Sequence, residues 1–177
     1  MKSLTIIINR DIIKEYNKLY FKKYPSRKKS YFMNNWKSKR KNPKELYKTL
    51  SLNELLPMNS RQYSTLKNQW ADFANFLVDK YNLKGLNLTN CVVDVVWYQE
   101  TKANTDYDNS YGGLKLLFDP LFVGSNMFVD DNHNHVAVLI SDIRYDKDNP
   151  RMEIRITPCG KLKTRKEKLD LHFKIFD

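Results

Sequence analysis

The sequence predicts an α+β fold in which a mixed β-sheet of about four to five strands packs with two main helices. Short β-branched runs recur along the chain, beginning with residues 4–9. Residues 59–82 carry apolar side chains at the spacing of one long amphipathic helix. The composition, 41% hydrophobic and 13% aromatic, is typical of a folded globule. We therefore expect one domain over residues 1–177.

The first strand, residues 4–9, is followed by a segment with two open interpretations. Residues 11–24 have helical spacing of apolar groups, which predicts a helix whose aromatic rings face inward. The same aromatics lie among lysines, a pattern that also suits a surface for stacking bases and contacting phosphates. The long helix over 59–82 has Asn59 or Ser60 as a candidate N-cap and Gly85 after its end.

Three further strands are predicted over residues 89–98, 135–145 and 151–157. The last of these alternates cleanly between apolar and charged side chains. Residues 145–151 contain Asp, Asn and Pro, which predicts a hairpin connection between the last two strands. A fifth strand is expected over 169–175, where Leu and other apolar residues occupy alternate positions.

The chain carries a formal net charge of +11, which indicates an anionic partner, nucleic acid first and an acidic membrane surface second. Residues 1–50 hold 15 lysines and arginines against three acids. Within this region, we expect residues 26–41 to form a mobile basic loop that contacts DNA phosphates. Its candidate DNA-binding residues are Arg27, Lys28, Lys29, Lys37, Lys39, Arg40 and Lys41.

The absence of membrane-spanning and signal-peptide patterns predicts the cellular location. No apolar run approaches ~20 residues, and the opening residues have no signal-peptide pattern. Cys91 and Cys159 are far apart, so they are either thiols of a reducing compartment, which we favour, or one disulfide. We expect a cytoplasmic protein with no membrane partner and no small-molecule substrate.

An acidic stretch stands out in this basic chain, with six acids against two basic residues between positions 100 and 131. Asp106 and Asp108 share one face if their backbone is extended. Carboxylate oxygens suit Mg²⁺, which keeps waters for substrate phosphate. Asp130 and Asp131 come just before a predicted strand, so one of the two is expected to join the metal site. Lys115 could neutralise a phosphate oxygen.

This acidic stretch has other interpretations. A calcium loop starting at Asn104 does not fit, because Asn109 stands where Gly is expected and Lys115 stands where Glu is needed. The aspartates could instead be turn and cap residues. His133 and His135 could bind zinc or manganese, although hydrogen bonding at the mouth of the site is favoured over that role.

The order of these residues resembles the RusA family of Holliday-junction resolvases. The shared elements are Asp106-Tyr107-Asp108-Asn109, then Lys115 and Asp119 four apart, Leu121, and Asp130-Asp131 before a strand. The resemblance covers roughly residues 4–9 and 59–158. It implies a RusA-like nuclease domain with a basic insertion at about 25–58 and a basic C-terminal extension at about 160–177. About three extra residues before Lys115, and Pro120 within the helix, depart from the family pattern.

The resemblance implies a homodimeric, Mg²⁺-dependent endodeoxyribonuclease, with Mn²⁺ as a possible substitute, that resolves four-way (Holliday) DNA junctions by phosphodiester hydrolysis. Asp106, Asp108 and Asp131 would be catalytic metal ligands, Asp130 a further metal ligand, and Lys115 a catalytic residue. Branched double-stranded DNA would be the substrate. The alternative is a non-catalytic DNA-binding protein whose aspartates are structural.

Overall fold

The computed structural model describes residues 3–25, 55–102 and 114–161, together with residues 164, 166, 167 and 170. The elements in chain order are β1 (Leu4–Asn9), α1 (Arg10–Lys23), α2 (Ser60–Tyr81), β2 (Cys91–Gln99), a π-helix (Asp119–Val123), β3 (Val136–Tyr145) and β4 (Arg151–Pro158). Residues 114–118 are α-helical and run directly into the π-helix. We call residues 114–123 the site helix. The predicted α+β class with a mixed sheet and two main helices is confirmed.

The four described strands form one sheet in the order β1-β4-β2-β3. β4 lies antiparallel to both β1 and β2, whereas β2 and β3 run parallel. The predicted hairpin between β3 and β4 is therefore wrong, because both strands pair with β2. The physical reason is that β2 is apolar on both faces, which suits a central strand. Its buried valines on the two faces are Val92, Val93, Val95 and Val96.

The connection from β3 to β4 crosses the end of β2. Two strand spacings are about 10 Å, a distance that five residues span easily. Arg151 holds this connection in place with two ion pairs. Its Nη1 lies 2.7 Å from the Asp146 carboxylate, and its Nε lies 2.6 Å from the Glu153 carboxylate. Its guanidinium also lies 3.6 Å from the ring centroid of Tyr98 on β2. Backbone N–H donation from Asn149 is the main reason that the pKa of Asp146 is lowered.

Both long helices begin at an asparagine cap, and for α2 this cap is Asn59, one of its two predicted candidates. Asn59 and Gln62 form a capping box at the start of α2, and Asn82 ends it in the left-handed conformation. The Asn9 side chain accepts from two N–H groups at the start of α1. Tyr16 and Tyr20 of α1 are buried, which favours the inward-packing interpretation of this helix over the base-stacking one.

The core lies between the two helices and one face of the sheet. Phe73 of α2 contacts Tyr16 of α1 edge to face, with ring centroids 5.0 Å apart. Ile154 at the centre of β4 is completely buried. Cys91 and Cys159 are free thiols, as favoured from the sequence. The predicted fifth strand, apart from Asp170, lies outside the described ranges.

Candidate metal-dependent nuclease site

The site residues lie on the crossover from β2 to β3. Parallel neighbours cannot be joined by a tight turn, so this connection must return the chain along the sheet. The described end of the crossover packs beside the start of β2: Val129 N–H donates to the Leu88 carbonyl, and Cys91 N–H donates to the His135 carbonyl. Residues 130–135 are thereby held at that end of the sheet.

Asp130 organises the loop that holds the acidic pair. One of its carboxylate oxygens accepts the Asp131 backbone N–H at 2.7 Å, and the other accepts the Asn132 side-chain amide at 2.6 Å. The first of these bonds is the main reason that the pKa of Asp130 is lowered. The Asn132 carbonyl then accepts the His135 and Val136 N–H groups. Asp130 therefore fixes the backbone from which the Asp131 side chain projects.

Asp131 is exposed and lines a pocket of about 200 Å³ between the site helix and the beginning of β3. The other polar groups on this pocket are Lys115 and Asp119. Its remaining lining residues are all apolar: Leu114, Phe118, Phe122, Val136 and Leu139. The fold thus brings two predicted site residues, Lys115 and Asp131, to one pocket although 16 positions separate them in the chain.

Lys115 and Asp119 form an ion pair across one turn of the site helix. The Lys115 Nζ lies 3.3 Å from the Asp119 carboxylate, and the lysine side chain is 70% exposed. Such an exposed pair contributes little to stability, so the ammonium can exchange its carboxylate partner for a phosphate oxygen at small cost. The sequence resemblance contained Asp119 without a role, and the structure places it on the pocket rim.

Pro120 converts the second half of the site helix into a π-helix. Gly124 N–H donates to the Asp119 carbonyl, which closes the wider turn. The α-helical geometry stops before Pro120, because a proline inside a helix removes one backbone donor and its ring clashes with the preceding turn. Phe118 and Phe122 stack with centroids 4.4 Å apart, and Phe122 also contacts Phe128. These rings anchor the helix beneath the pocket.

The two histidines have different surroundings. The His135 ring Nδ1 lies 3.1 Å from the Thr89 hydroxyl, next to the start of β2. His133 is exposed. For His135, the hydrogen-bonding role is the one that the geometry supports, and it ties the loop to the residues before β2.

Two of the predicted metal ligands, Asp106 and Asp108, lie outside the described residues, as do all seven candidate DNA-binding residues between Arg27 and Lys41. Within the described ranges, no three His, Cys, Asp or Glu residues are placed to hold a metal ion. Of the four predicted metal ligands, the described residues include Asp130 and Asp131. The exposed Asp131 carboxylate fits a hard cation, whereas both Asp130 oxygens are engaged in the loop.

Sequence reasoning missed the apolar part of the site. Val136 and Leu139 line the pocket from β3, and no motif marks them. The spacing of Leu114, Phe118 and Phe122 did carry a signal, because these residues recur at four-residue intervals on one helix face.

No known protein family and no curated protein matches this chain. Among the described residues, no helix has the length and apolar character needed to cross a membrane.

Proposed function

We propose that the chain is a Mg²⁺-dependent, structure-selective endodeoxyribonuclease that resolves four-way DNA junctions as a homodimer. The observation that carries this proposal is the convergence of Lys115, Asp119 and Asp131 on one pocket of a protein with net charge +11. A carboxylate that can hold a cation and an ammonium that can hold a phosphate oxygen are complementary parts of a phosphodiester site.

Asp106 and Asp108 would complete the metal-binding set. β2 has nine residues, so returning from its end to its beginning covers about 26 Å. Asp108 lies nine positions after Gln99, and nine extended steps reach about 30 Å. The bend at residues 100–101 uses part of this length to reverse direction, so the chain can bring Asp108 back along most of β2, towards Asp131. An extended backbone is also what would put Asp106 and Asp108 on one face.

Each side chain has a distinct part in hydrolysis. Asp131, with Asp106 and Asp108, would hold Mg²⁺, and the bound ion supplies Lewis-acid chemistry for an attacking water and the leaving oxygen. Lys115 would bind a non-bridging phosphate oxygen after releasing Asp119. Asp130 would keep the Asp131 backbone in place. Mn²⁺ should substitute for Mg²⁺, since it also accepts oxygen ligands.

The test is cleavage of a labelled four-way junction with Mg²⁺, with Mn²⁺, with Ca²⁺ and with EDTA. We expect nicking with Mg²⁺ or Mn²⁺ only. Asp108→Asn and Asp131→Asn each remove one negative ligand while keeping shape, so cleavage should fall by orders of magnitude. Junction binding should remain or tighten, because affinity depends mainly on lysines and arginines.

The matched control is Asp72→Asn, which removes the same charge from an exposed position on α2. This variant should cleave like the unmodified protein. Cleavage by Asp108→Asn at the unmodified rate would reject the catalytic role. Tight junction binding with no cleavage under any metal condition would instead support the alternative, a non-catalytic DNA-binding protein.

A further inference from the structure

The pocket beside Asp131 has walls whose chemistry a metal site does not need. Carboxylate-bound Mg²⁺ is served by oxygen ligands and water, whereas this pocket is lined mainly by aliphatic and aromatic carbon. One wall comes from the site helix and the other from the first residues of β3. Phe118 and Phe122 belong to the first wall, and their rings stack on each other with centroids 4.4 Å apart. Leu139, 41% exposed, stands at the open side.

The position of the pocket restricts what could enter it. Asp131 belongs both to the pocket lining and, in the proposed function on which this inference rests, to the metal set. A phosphate held at that metal would lie next to the pocket. The nearest apolar groups covalently attached to this phosphate are the sugar and base of the adjoining nucleotides.

The pocket cannot accept a base that remains stacked in a duplex, because both faces of such a base are covered by its neighbours. At a branch point, stacking is interrupted, and extruding a base is correspondingly easier. Apolar and aromatic walls compensate for lost stacking with little regard to base identity. Lys115 offers N–H donors and Asp119 offers carboxylate acceptors at the rim, where the polar edge of a base would emerge.

We propose that this pocket binds one unstacked nucleobase adjoining the phosphate to be cleaved. The base would enter between Phe118 and Leu139 with its polar edge towards Lys115 and Asp119. The site would then select branched DNA by requiring a base that can leave its stack, in addition to any selection by the basic segments.

The experiment places 2-aminopurine, a base whose fluorescence rises on unstacking, on either side of the scissile phosphate of a four-way junction. Binding is measured with Ca²⁺ in place of Mg²⁺ so that the DNA stays intact. We expect a fluorescence increase for one of the two positions on the junction, and no increase on a linear duplex of the same sequence.

Leu139→Trp should block the pocket, since a larger ring would occupy its open side. We expect the fluorescence increase to disappear and cleavage to fall about tenfold or more, within the range that the stacking of one base supplies. Ile7→Trp is the matched control, because Ile7 is 37% exposed on β1, at the opposite edge of the sheet. Leu139→Met keeps the volume and should behave like the unmodified chain. Thermal melting of all three variants checks that they fold.

The outcomes separate this inference from the proposed function. If the unmodified chain cleaves junctions but Leu139→Trp gives the same fluorescence and rate, the pocket proposal is wrong and the nuclease proposal stands. If fluorescence rises and depends on Leu139 without any cleavage, the base pocket stands and the nuclease proposal fails. If Leu139→Trp changes only the oligomeric state, the pocket receives a protein side chain, and the base proposal is overturned.

Discussion

Gly124 closes the π-helix at a point where no side chain fits, so Gly124→Ala is expected to destabilise the fold. An added Cβ would lie 2.9 Å from the Pro120 carbonyl oxygen and 3.1 Å from the Pro120 Cα. Both are backbone atoms, and the Asp119 carbonyl next to them is already bonded to Gly124 N–H at 3.0 Å. Relief therefore requires the backbone of the turn to shift.

The size of the effect follows from two opposing contributions. Overpacking at a tight site costs about 1–3 kcal/mol, and the value here should lie in the upper half because backbone must move. Gly124 has helical dihedral angles, φ −60° and ψ −28°, so alanine also restricts the unfolded chain and recovers about 0.4–1 kcal/mol. We expect a net loss of about 1–2 kcal/mol, which lowers the melting temperature by about 2–8 °C in a domain of this size.

Urea unfolding and thermal melting followed by circular dichroism measure this loss. The matched control is Gly160→Ala, because an added Cβ there meets nothing within 4 Å. Gly85→Ala is a second comparison: its surroundings are also open, but its φ of +70° should cost about 1–2 kcal/mol through backbone strain. If Gly124→Ala proves as stable as Gly160→Ala, the described packing of the π turn is incorrect.

Three other predictions concern separate parts of the molecule. Asp130→Asn keeps an acceptor for the Asp131 N–H, so this variant should retain much of the cleavage rate. Asp130→Ala removes the acceptor and should raise the Mg²⁺ concentration needed for half-maximal cleavage. Equal cleavage rates for the two variants would show that Asp130 does not position Asp131. Burial raises the pKa of the Cys91 thiol to about 11, so at pH 8 a thiol reagent should modify half-buried Cys159 first, and mass spectrometry of early products decides this. The third change replaces four basic residues with neutral ones: Lys37, Lys39, Arg40 and Lys41. Junction binding should weaken, and the slope of log K against log salt should fall by roughly 3 to 4 units. An unchanged slope in a salt titration would contradict the proposed phosphate contacts.

Local patterns predicted most of the fold because they depend on near neighbours. The boundaries and the N-cap of α2 follow from apolar spacing and from Asn59, and these signals lie within or next to the helix. The pairing of β3 and β4 could not be predicted in the same way. A short turn favours a hairpin, but the position of β2 between the two strands is decided by burial of both β2 faces, which is a property of the whole sheet.

The candidate site divides along the same line. The resemblance selected Lys115 and Asp131 from their order in the chain, and the structure brings both to one pocket. The sequence also suggested that only one of the two adjacent aspartates would join the site, and the bonds of Asp130 within its own loop give that expectation a physical basis. The contribution of Leu139 was not predictable, because its place depends on the packing of β3 beside the site helix.

The position of β4 between β1 and β2 also determines when the protein can assemble during synthesis. In the described sheet, β1 pairs only with β4, and Arg151 is made 142 residues after its partner Asn9. At about 5–20 residues per second, β1 waits about 7–28 s for its neighbour. Throughout that time the edge of β1 has no partner strand, although its residues Ile6 and Ile8 are fully buried in the folded protein. A product that terminates before residue 151 would keep this apolar edge open, and we expect such fragments to aggregate or to be captured by chaperones.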